Sequence, residues 1–438
     1  MRLGTSLGVL LLALSTQAFA QARKQARPTG LPKKVQWTFN LDAGIGAFGF
    51  NNSLYTDVKP DPSGDLSDNW FESYAKPAIS GTVRSGKGLF FGKISAVGER
   101  TYAAPPPLVG AEASSFMIED LYVGWRSGTA LGAGQDALEL TVGRAQYRIG
   151  HGLLLWDGAG EGGSRGGFWS NARKAWAFAG IARFKAKSNT LEGFYLDRNE
   201  VPESEQGTRV AGANYERSLG EATTLGASYM HFMSDSNAAR DGMNVYNVRA
   251  FTAPLRKLPG LSFDLEFAQE DNGDLRASTA YNVQAAYELS KMSWKPKLSY
   301  RYAFFQGDDP GTTTKNESFD MLLPGFYDWG TWWQGEIGGE YFLANSNLIS
   351  HQVRVHVKPS GSVSGGIFGY AFQLDQLPVG ITSKDVATEI DAYADWSVNS
   401  NFIVSFVAAL AHPQAAATQA YGRSSDFTYG MIYVAYAY

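Results

Sequence analysis

Basic side chains recur on one side of several alternating segments of this chain, where they could bind or steer anions. Acidic side chains share that side. Rings of charge set ion selectivity in pores, whereas charges of mixed sign could equally form structural ion pairs between neighbouring strands. The sequence leaves both roles open. The basic set comprises Lys93, Arg126, Arg183, Lys185, Arg249, Arg301 and Arg354, and the acidic set comprises Asp120, Glu139, Asp264, Glu266, Glu389, Asp391 and Asp395.

A glycine-rich segment, residues 148–173, has the most distinctive composition in the chain. Eight glycines punctuate Trp156, Arg165, Trp169 and Asn171, and glycine adopts backbone conformations that are closed to other residues. Connections as long as 147–174 are uncommon unless they are functional or disordered, and the tryptophans argue against disorder. The segment is therefore predicted to form an interior constriction or a lid over one mouth. A flexible surface loop is the alternative.

Two glycine motifs resemble nucleotide-binding loops but lack the context that such loops require. Residues 158–163 read Gly-Ala-Gly-Glu-Gly-Gly and formally satisfy the dinucleotide pattern. That pattern works only between a parallel strand and a helix, and no such unit is predicted here. Residues 81–87 approach a phosphate-binding loop, but Gly88 stands where Ser or Thr is required. No nucleotide cofactor is predicted.

The histidines and loop carboxylates give little support to metal binding or catalysis. His351 and His356 are five residues apart in a predicted strand, so they face opposite sides. Asp157 and Glu161 could offer oxygen ligands to Ca²⁺, although simple solvation explains two carboxylates in a loop. No catalytic residue, metal or cofactor is predicted. A hydrolase whose Ser and His meet only in space would leave no contiguous motif and remains the enzymatic alternative.

The charged side chains are positioned by segments in which apolar and polar residues alternate. Such alternation runs through residues 261–268, 297–304, 352–357 and 389–396, and the chain ends in an aromatic-rich run over 427–438. A period of two is that of a β-strand. In a soluble sandwich the apolar face would form the interior, whereas in a wide membrane barrel it faces lipid and the charged face lines water. The terminal aromatic strand favours the barrel.

The N-terminal residues read as an export signal. Arg2 precedes an apolar run over 7–14, and Ala18-Phe19-Ala20 provides a small-x-small cleavage site before Gln21. We therefore predict a signal peptide over 1–20, a basic leader over 21–34 and a β-barrel over 35–438. Together with the barrel pattern, export predicts the outer membrane of a Gram-negative bacterium, with membrane lipid and the barrel assembly machinery as partners.

Composition limits the remaining classes of function. The chain has 438 residues with 49 Gly, 26 Phe and 22 Tyr, which suits a membrane barrel. Its net charge of −4 argues against a strongly basic nucleic-acid binder, and no nucleic-acid partner is predicted. The absence of Cys excludes disulfides, thiol catalysis and thiolate metal sites.

Parity decides the predicted number of strands. About nineteen segments alternate, including 331–342, but a barrel with both termini on the periplasmic side needs an even number. Assigning 331–342 to a long external loop leaves eighteen antiparallel strands. The later short turns then all fall at one end, opposite long connections such as 51–67, 147–174 and 306–347.

Several motifs resemble the alginate-export family of outer-membrane porins. They are Val142-Gly143-Arg144, residues 169–173 (Trp-Ser-Asn-Ala-Arg), residues 345–348 (Asn-Ser-Asn-Leu) and the closing strands after 390. The resemblance implies an eighteen-stranded barrel with a constriction rich in Arg and Lys that passes a polyanionic uronate polymer. By position, it implies that the constriction contains Arg144, Arg165, Arg173 and Arg183.

These observations predict an outer-membrane channel without catalytic turnover, which passes hydrophilic or anionic saccharide-type solutes. An outer-membrane barrel enzyme acting on lipids or esters, or a surface-binding barrel, is the alternative. The predicted pore and constriction residues are Lys93, Arg126, Arg144, Arg165, Arg173, Arg183, Arg249, Arg301 and Arg354.

Overall fold

In a computed structural model, the segments in which apolar and polar residues alternate form eighteen antiparallel strands. The structure describes residues 35–54, 67–103, 112–156, 158–220, 222–252, 258–312, 315–325 and 334–438. The predicted signal peptide and leader lie outside these residues. The strands are β1 Gln36–Asn51, β2 Asp68–Ser85, β3 Gly88–Tyr102, β4 Ser114–Arg126, β5 Leu138–Arg144, β6 Phe178–Ala186, β7 Asn189–Asp197, β8 Arg209–Leu219, β9 Thr223–Met233, β10 Asn244–Thr252, β11 Leu261–Asp271, β12 Ala277–Glu288, β13 Lys297–Phe305, β14 Leu348–Val357, β15 Val363–Gln373, β16 Asp385–Ser397, β17 Phe402–Pro413 and β18 Phe427–Ala437.

The sheet closes on itself between its first and last strands. Each strand pairs with its neighbours in chain order, and β1 pairs with both β2 and β18. The predicted barrel of eighteen strands is thus confirmed. Residues 334–337 form turns and Gly338–Phe342 forms one turn of π-helix, so this described part of 331–342 belongs to a connection, as parity required.

The two faces of the wall follow the alternation of the sequence. In β13, Leu298 is 47% exposed while Arg301 is only 2% exposed. In β18, Ile432 faces outward, whereas Met431 and Tyr433 are buried in the interior. The exposed apolar side chains lie on the outer face of the barrel, where they contact the hydrocarbon of the membrane. The inner face of such a barrel is polar.

The connections are short at one end of the barrel and long at the other. Two-residue turns join β2 to β3 and β6 to β7 at the end that also holds the start of β1 and the end of β18. The opposite end has the connections over 145–177, 306–347 and 414–426, the last containing helix α1, Ala415–Tyr421. Short turns mark the periplasmic end. Within the described residues, no helix is long and apolar enough to cross a membrane.

The described parts of two long connections fold inward and fill part of the barrel. Trp169 from 145–177 contacts Tyr341 from 306–347 with ring centroids 5.6 Å apart. Both rings pack against the wall, where Trp70 lies 6.1 Å from Trp169 and Phe50 lies 5.5 Å from Tyr341. The aromatic contacts join the two connections to β1 and β2 and form a core inside the barrel.

The second connection is attached to β16 by hydrogen bonds to carboxylates. The backbone N–H groups of Ile337 and Gly338 donate to the Glu389 carboxylate at 2.8 and 2.7 Å. The N–H of Glu336 donates to Asp391 at 3.1 Å. Within the described part of the chain, the side-chain oxygens of Glu336 and Glu340 have no hydrogen-bond partner. Burial raises the pKa of both carboxyls well above the usual range, and neighbouring carboxylates raise each pKa further.

We expect docking of residues 334–342 to weaken as the pH rises. A carboxyl whose pKa is raised by docking binds its proton more tightly in the docked state. Docking is therefore favoured below the ordinary carboxyl pKa, and this stabilisation is lost as the pH rises toward the raised values. Hydrogen-exchange protection factors, which correct for the intrinsic exchange rate, should fall in this segment between pH 5 and pH 8. In a Glu336→Gln, Glu340→Gln variant they should change far less. Equal losses of protection in both proteins would contradict this expectation.

Candidate functional site

Glycines allow the inserted connection 145–177 to fold closely against itself and the wall. Gly152 has φ +88°, and a Cβ there would collide with the Trp156 ring. Gly167 has φ +68°, and its added Cβ would lie 3.0 Å from the carboxyl carbon of Glu99 on β3. Side chains are disfavoured at both positive φ values. The glycine pattern of the sequence therefore shapes a compact segment inside the barrel.

Carboxylates on the wall hold the backbone of this connection. Glu72 on β2 accepts hydrogen bonds from the N–H groups of Trp169 and Ser170, both at 2.7 Å. Glu119 on β4 accepts from the N–H groups of Lys174 and Ala175 at 2.6 and 2.8 Å. Both glutamates are fully buried. Four backbone N–H groups that lie outside the strands thus obtain hydrogen-bond acceptors. These hydrogen bonds fix the segment in position.

Arg173 lies at the centre of a buried ion cluster and does not face water. Its Nε is 2.9 Å from Glu99 and 3.2 Å from Glu161, and all three side chains are 0% exposed. Its Nη2 donates to the Ser115 hydroxyl at 2.6 Å. Burial raises the pKa of Glu161 well above its usual range, as does Glu99, while Arg173 opposes the rise. The contacts give Arg173 a structural role, and they place Glu161 in an ion pair instead of a Ca²⁺ site.

The other three arginines carried over from the family resemblance occupy different surroundings. Arg165 is buried and donates to the carbonyl groups of Gly160 and Asn199 at 2.9 and 3.0 Å. Arg144 is half-buried, and its Nε lies 3.4 Å from the Glu119 carbonyl. Arg183 is partly exposed and pairs with Glu192, as well as with Glu139 at 2.8 Å. Burial lowers the pKa of Arg165, and the charges of Arg173 and Arg144 lower it further, so these three arginines lie near one another while Arg183 belongs to a separate ion-paired group.

A polar cavity of about 790 Å³ lies between the inserted connection and the wall. Its lining includes residues of β2, β3, β6, β7, β8 and the end of β18, which leads toward the periplasmic end. Basic side chains outnumber acidic ones by six to three in this lining. The basic set is Lys76, Lys93, Arg148, Lys174, Arg183 and Lys185, and the acidic set is Asp42, Glu192 and Glu216.

The cations of this cavity are held in defined positions. Lys76 donates to the Ala172 carbonyl at 3.0 Å, and Lys93 pairs with Asp120 at 2.7 Å. The Arg148 guanidinium lies 4.5 Å from the centre of the Trp156 ring, in a cation–π contact. Burial lowers the pKa of Arg148, and Glu216 opposes that effect. The arrangement offers fixed donors for an anion with little rearrangement of the cavity wall.

Four other predicted lumen arginines are placed along the wall, mostly in local polar pairs. Arg126 pairs with Glu139 at 2.5 Å, and Arg249 pairs with Glu216 at 2.7 Å. Arg301 donates to Gln284 at 3.1 Å, and Arg354 donates to the Tyr393 hydroxyl at 3.2 Å. The pairs of Arg126 and Arg249 show the structural role that the sequence left open for mixed charges.

Three of the cavity cations were not predicted from the sequence pattern. Lys76 lies in β2, while Arg148 and Lys174 stand near the two ends of the glycine-rich segment. A basic residue at each end of a long glycine-rich connection was the available signal. In the described residues, no group of three His, Cys, Asp or Glu side chains could hold a metal ion. Asp157, the other Ca²⁺ candidate, lies outside those residues.

We expect Arg173→Met to destabilise the barrel by about 3–5 kcal/mol, because it leaves buried carboxylates without their cation. Arg100→Met is the matched control, since Arg100 pairs with Glu112 at 3.2 Å on the surface and should cost at most about 1 kcal/mol. Guanidinium unfolding in detergent micelles measures both free energies. Similar values for the two variants would show that the buried cluster contributes no more than a surface pair.

Comparisons with known proteins agree with this architecture. Residues 107–430 match the sequence profile described as alginate export. OccAB2 of Acinetobacter baumannii is 13% identical with a TM-score of 0.59, covering 92% of this chain and 98% of that one. A BenF-like porin from Pseudomonas fluorescens Pf-5 is 12% identical with a TM-score of 0.59, covering 93% and 100%. OccK2 (OpdF) of Pseudomonas aeruginosa is 13% identical with a TM-score of 0.57, covering 92% and 97%.

A search of curated proteins gave no significant match. The structural likenesses, all at low identity, show the shared barrel fold, while the profile match extends over most of the chain. The chain therefore belongs to the alginate-export family and is a β-barrel porin of the Gram-negative outer membrane.

Proposed function

We propose that this porin passes hydrophilic, anionic saccharide-type solutes, and that the basic cavity beneath the inserted connection favours their entry. The observation that carries the proposal is the excess of Lys and Arg over acidic side chains in the cavity lining. Carboxylate groups of a uronate-type sugar would accept charge-assisted hydrogen bonds from these cations. In a confined, partly dehydrated space, fixed charges act more strongly than in bulk water.

The cavity also offers surfaces for the uncharged parts of a sugar. Tyr74, Tyr147 and Trp156 line it beside the cations, and the Tyr147 hydroxyl donates to Glu192 at 3.0 Å. Aromatic faces supply apolar contact area, while nearby polar groups satisfy hydroxyls. The acidic residues Asp42, Glu192 and Glu216 reduce the positive charge of the cavity. An anion would therefore bind weakly enough to leave the cavity as well as enter it.

Passage by diffusion requires no catalytic group. Membership of the alginate-export family and the porin fold support a channel instead of an enzyme. The described residues of the connections over 145–177 and 306–347 occupy part of the barrel interior, so these connections would set the size of solute that passes. The prediction that residues 147–174 form a constriction of the pore is therefore part of this proposal.

Replacing Lys93, Lys174 and Lys185 with Gln should reduce the preference for anions. The reversal potential across a planar bilayer in a KCl gradient should shift toward that of a cation-preferring pore. The shift should shrink in 1 M salt, where the Debye length is about 3 Å. Lys87→Gln removes an exposed charge on the β2–β3 turn and should leave the potential unchanged. A triple variant that behaves like the control would remove the basis for cavity selectivity.

Deleting residues 158–167 should widen the pore and raise its single-channel conductance, because the segment packs inside the barrel. As a control, deleting the exposed residues 131–134 in the β4–β5 turn should change conductance little. The unheated proteins should first show the gel mobility of a folded barrel. If a folded 158–167 deletion conducts like the wild type, the inserted connection does not limit the pore.

A further inference from the structure

A basic and aromatic surface lies at the periplasmic end, on the turn between β12 and β13 and the neighbouring turn after β14. Lys291, Met292, Trp294 and Lys295 belong to the first turn, and Lys358 belongs to the second. All five are exposed, with Met292 at 56% and Trp294 at 60%. We call these five residues the turn patch. The turn patch thus combines two large apolar side chains with three lysines.

The turn patch is held in an uncommon backbone conformation. Trp294 has φ +64° and Lys295 has φ +44°, a region that residues other than glycine seldom occupy. Hydrogen bonds fix the turn, from Leu289 N–H to the Pro296 carbonyl at 2.8 Å and from Met292 N–H to the Leu289 carbonyl at 2.9 Å. Such strain persists only where surrounding contacts enforce it.

A further hydrogen bond joins the two turns. The N–H of Lys358 donates to the Trp294 carbonyl at 2.7 Å, which places the Lys358 backbone directly beside the strained turn. The patch is therefore a single surface assembled from two turns, with its lysines and Trp294 presented together.

The patch continues the lipid-facing wall of the barrel. Tyr287, Leu298 and Val355 pair in register across β12, β13 and β14 close to these turns, and all three face outward and are exposed. Hydrocarbon covers this row in the membrane. The next level toward the periplasm is the headgroup region, where Trp and Lys side chains are favoured. Because the turn patch lies at headgroup level, we expect it to contact lipid and not a soluble partner.

The charge of the patch identifies the lipid class. Among the described residues, no salt bridge joins Lys291, Lys295 or Lys358 to a carboxylate. Glu288, at the end of β12, lies opposite Lys297 in register. Three ammonium groups at headgroup level attract phosphate, and each basic residue near an anionic membrane surface strengthens attraction.

We propose that the turn patch binds an anionic phospholipid of the periplasmic leaflet. Lys291, Lys295 and Lys358 hold its phosphate, while Met292 and Trp294 pack against its glycerol and upper acyl region. Such a lipid would anchor β12 to β14 at a fixed depth in the membrane, as interfacial Trp and Lys residues do.

The test is lipid binding to the folded, full-length mature protein in detergent micelles, followed by native mass spectrometry. Dioleoylphosphatidylglycerol and dioleoylphosphatidylcholine, which have the same acyl chains, are titrated separately. The wild type should retain the anionic lipid more tightly. A Lys291→Gln, Lys295→Gln, Lys358→Gln variant should lose this preference, by roughly fivefold for each lysine. Trp294→Ala should weaken the binding of both lipids.

Lys187→Gln is the matched control, because Lys187 is exposed on the two-residue β6–β7 turn; it should keep the wild-type preference. Unchanged conductance and gel mobility would show that each variant is folded. A triple variant that keeps the wild-type preference for phosphatidylglycerol would overturn the proposal. So would displacement of the lipid by inorganic phosphate at an equal concentration, since the patch would then be a site for soluble anions.

Discussion

The fold depends on the need to satisfy every backbone hydrogen-bonding group inside the membrane. Hydrocarbon offers no partner for an N–H or a carbonyl, so a sheet that crosses it must close. Pairing of β1 with β18 provides that closure. An even number of strands follows when both ends of the wall are on one side. A barrel of eighteen strands is too wide for wall side chains to fill, so its interior must hold either water or inserted chain.

The inserted chain creates the same hydrogen-bonding problem again, inside the barrel. Connections without regular structure pair only some of their own N–H groups, and the wall supplies carboxylates as partners for several of the others. Glu72 and Glu119 receive the first connection, and Glu389 receives the second. Buried polar networks of this kind rigidify a structure when each member has a partner. Glu389 was predicted from the sequence as an inward charge and is also an attachment point for the second connection, whereas the sequence pattern did not predict the roles of Glu72 and Glu119.

The basic residues divide between structural and solvent-facing positions for the same reason. Arg165 and Arg173 neutralise or hydrogen-bond groups of the inserted connection and are buried with it. Lys93 and Arg183 stay partly exposed at the edge of the cavity. Whether an inward cation can act on a solute depends on what covers it. The positive character of the cavity is thus a property of how the inserted connection 145–177 packs, in addition to which residues the wall contains.

The amino-acid pattern was sufficient to predict the eighteen-stranded barrel, its lipid-facing and inward faces, and the inward placement of residues such as Arg301. The two faces follow from a period of two, which is fixed by local backbone geometry, and the even number of strands follows from placing both termini at one end of the barrel. The pattern did not determine which basic residues meet water. Arg173 pairs with Glu99, and Lys76 bonds to the carbonyl of Ala172; both contacts join residues far apart in the chain. Only the packing of the inserted connection decided them, because alternation specifies the direction of a side chain but not what lies in front of it.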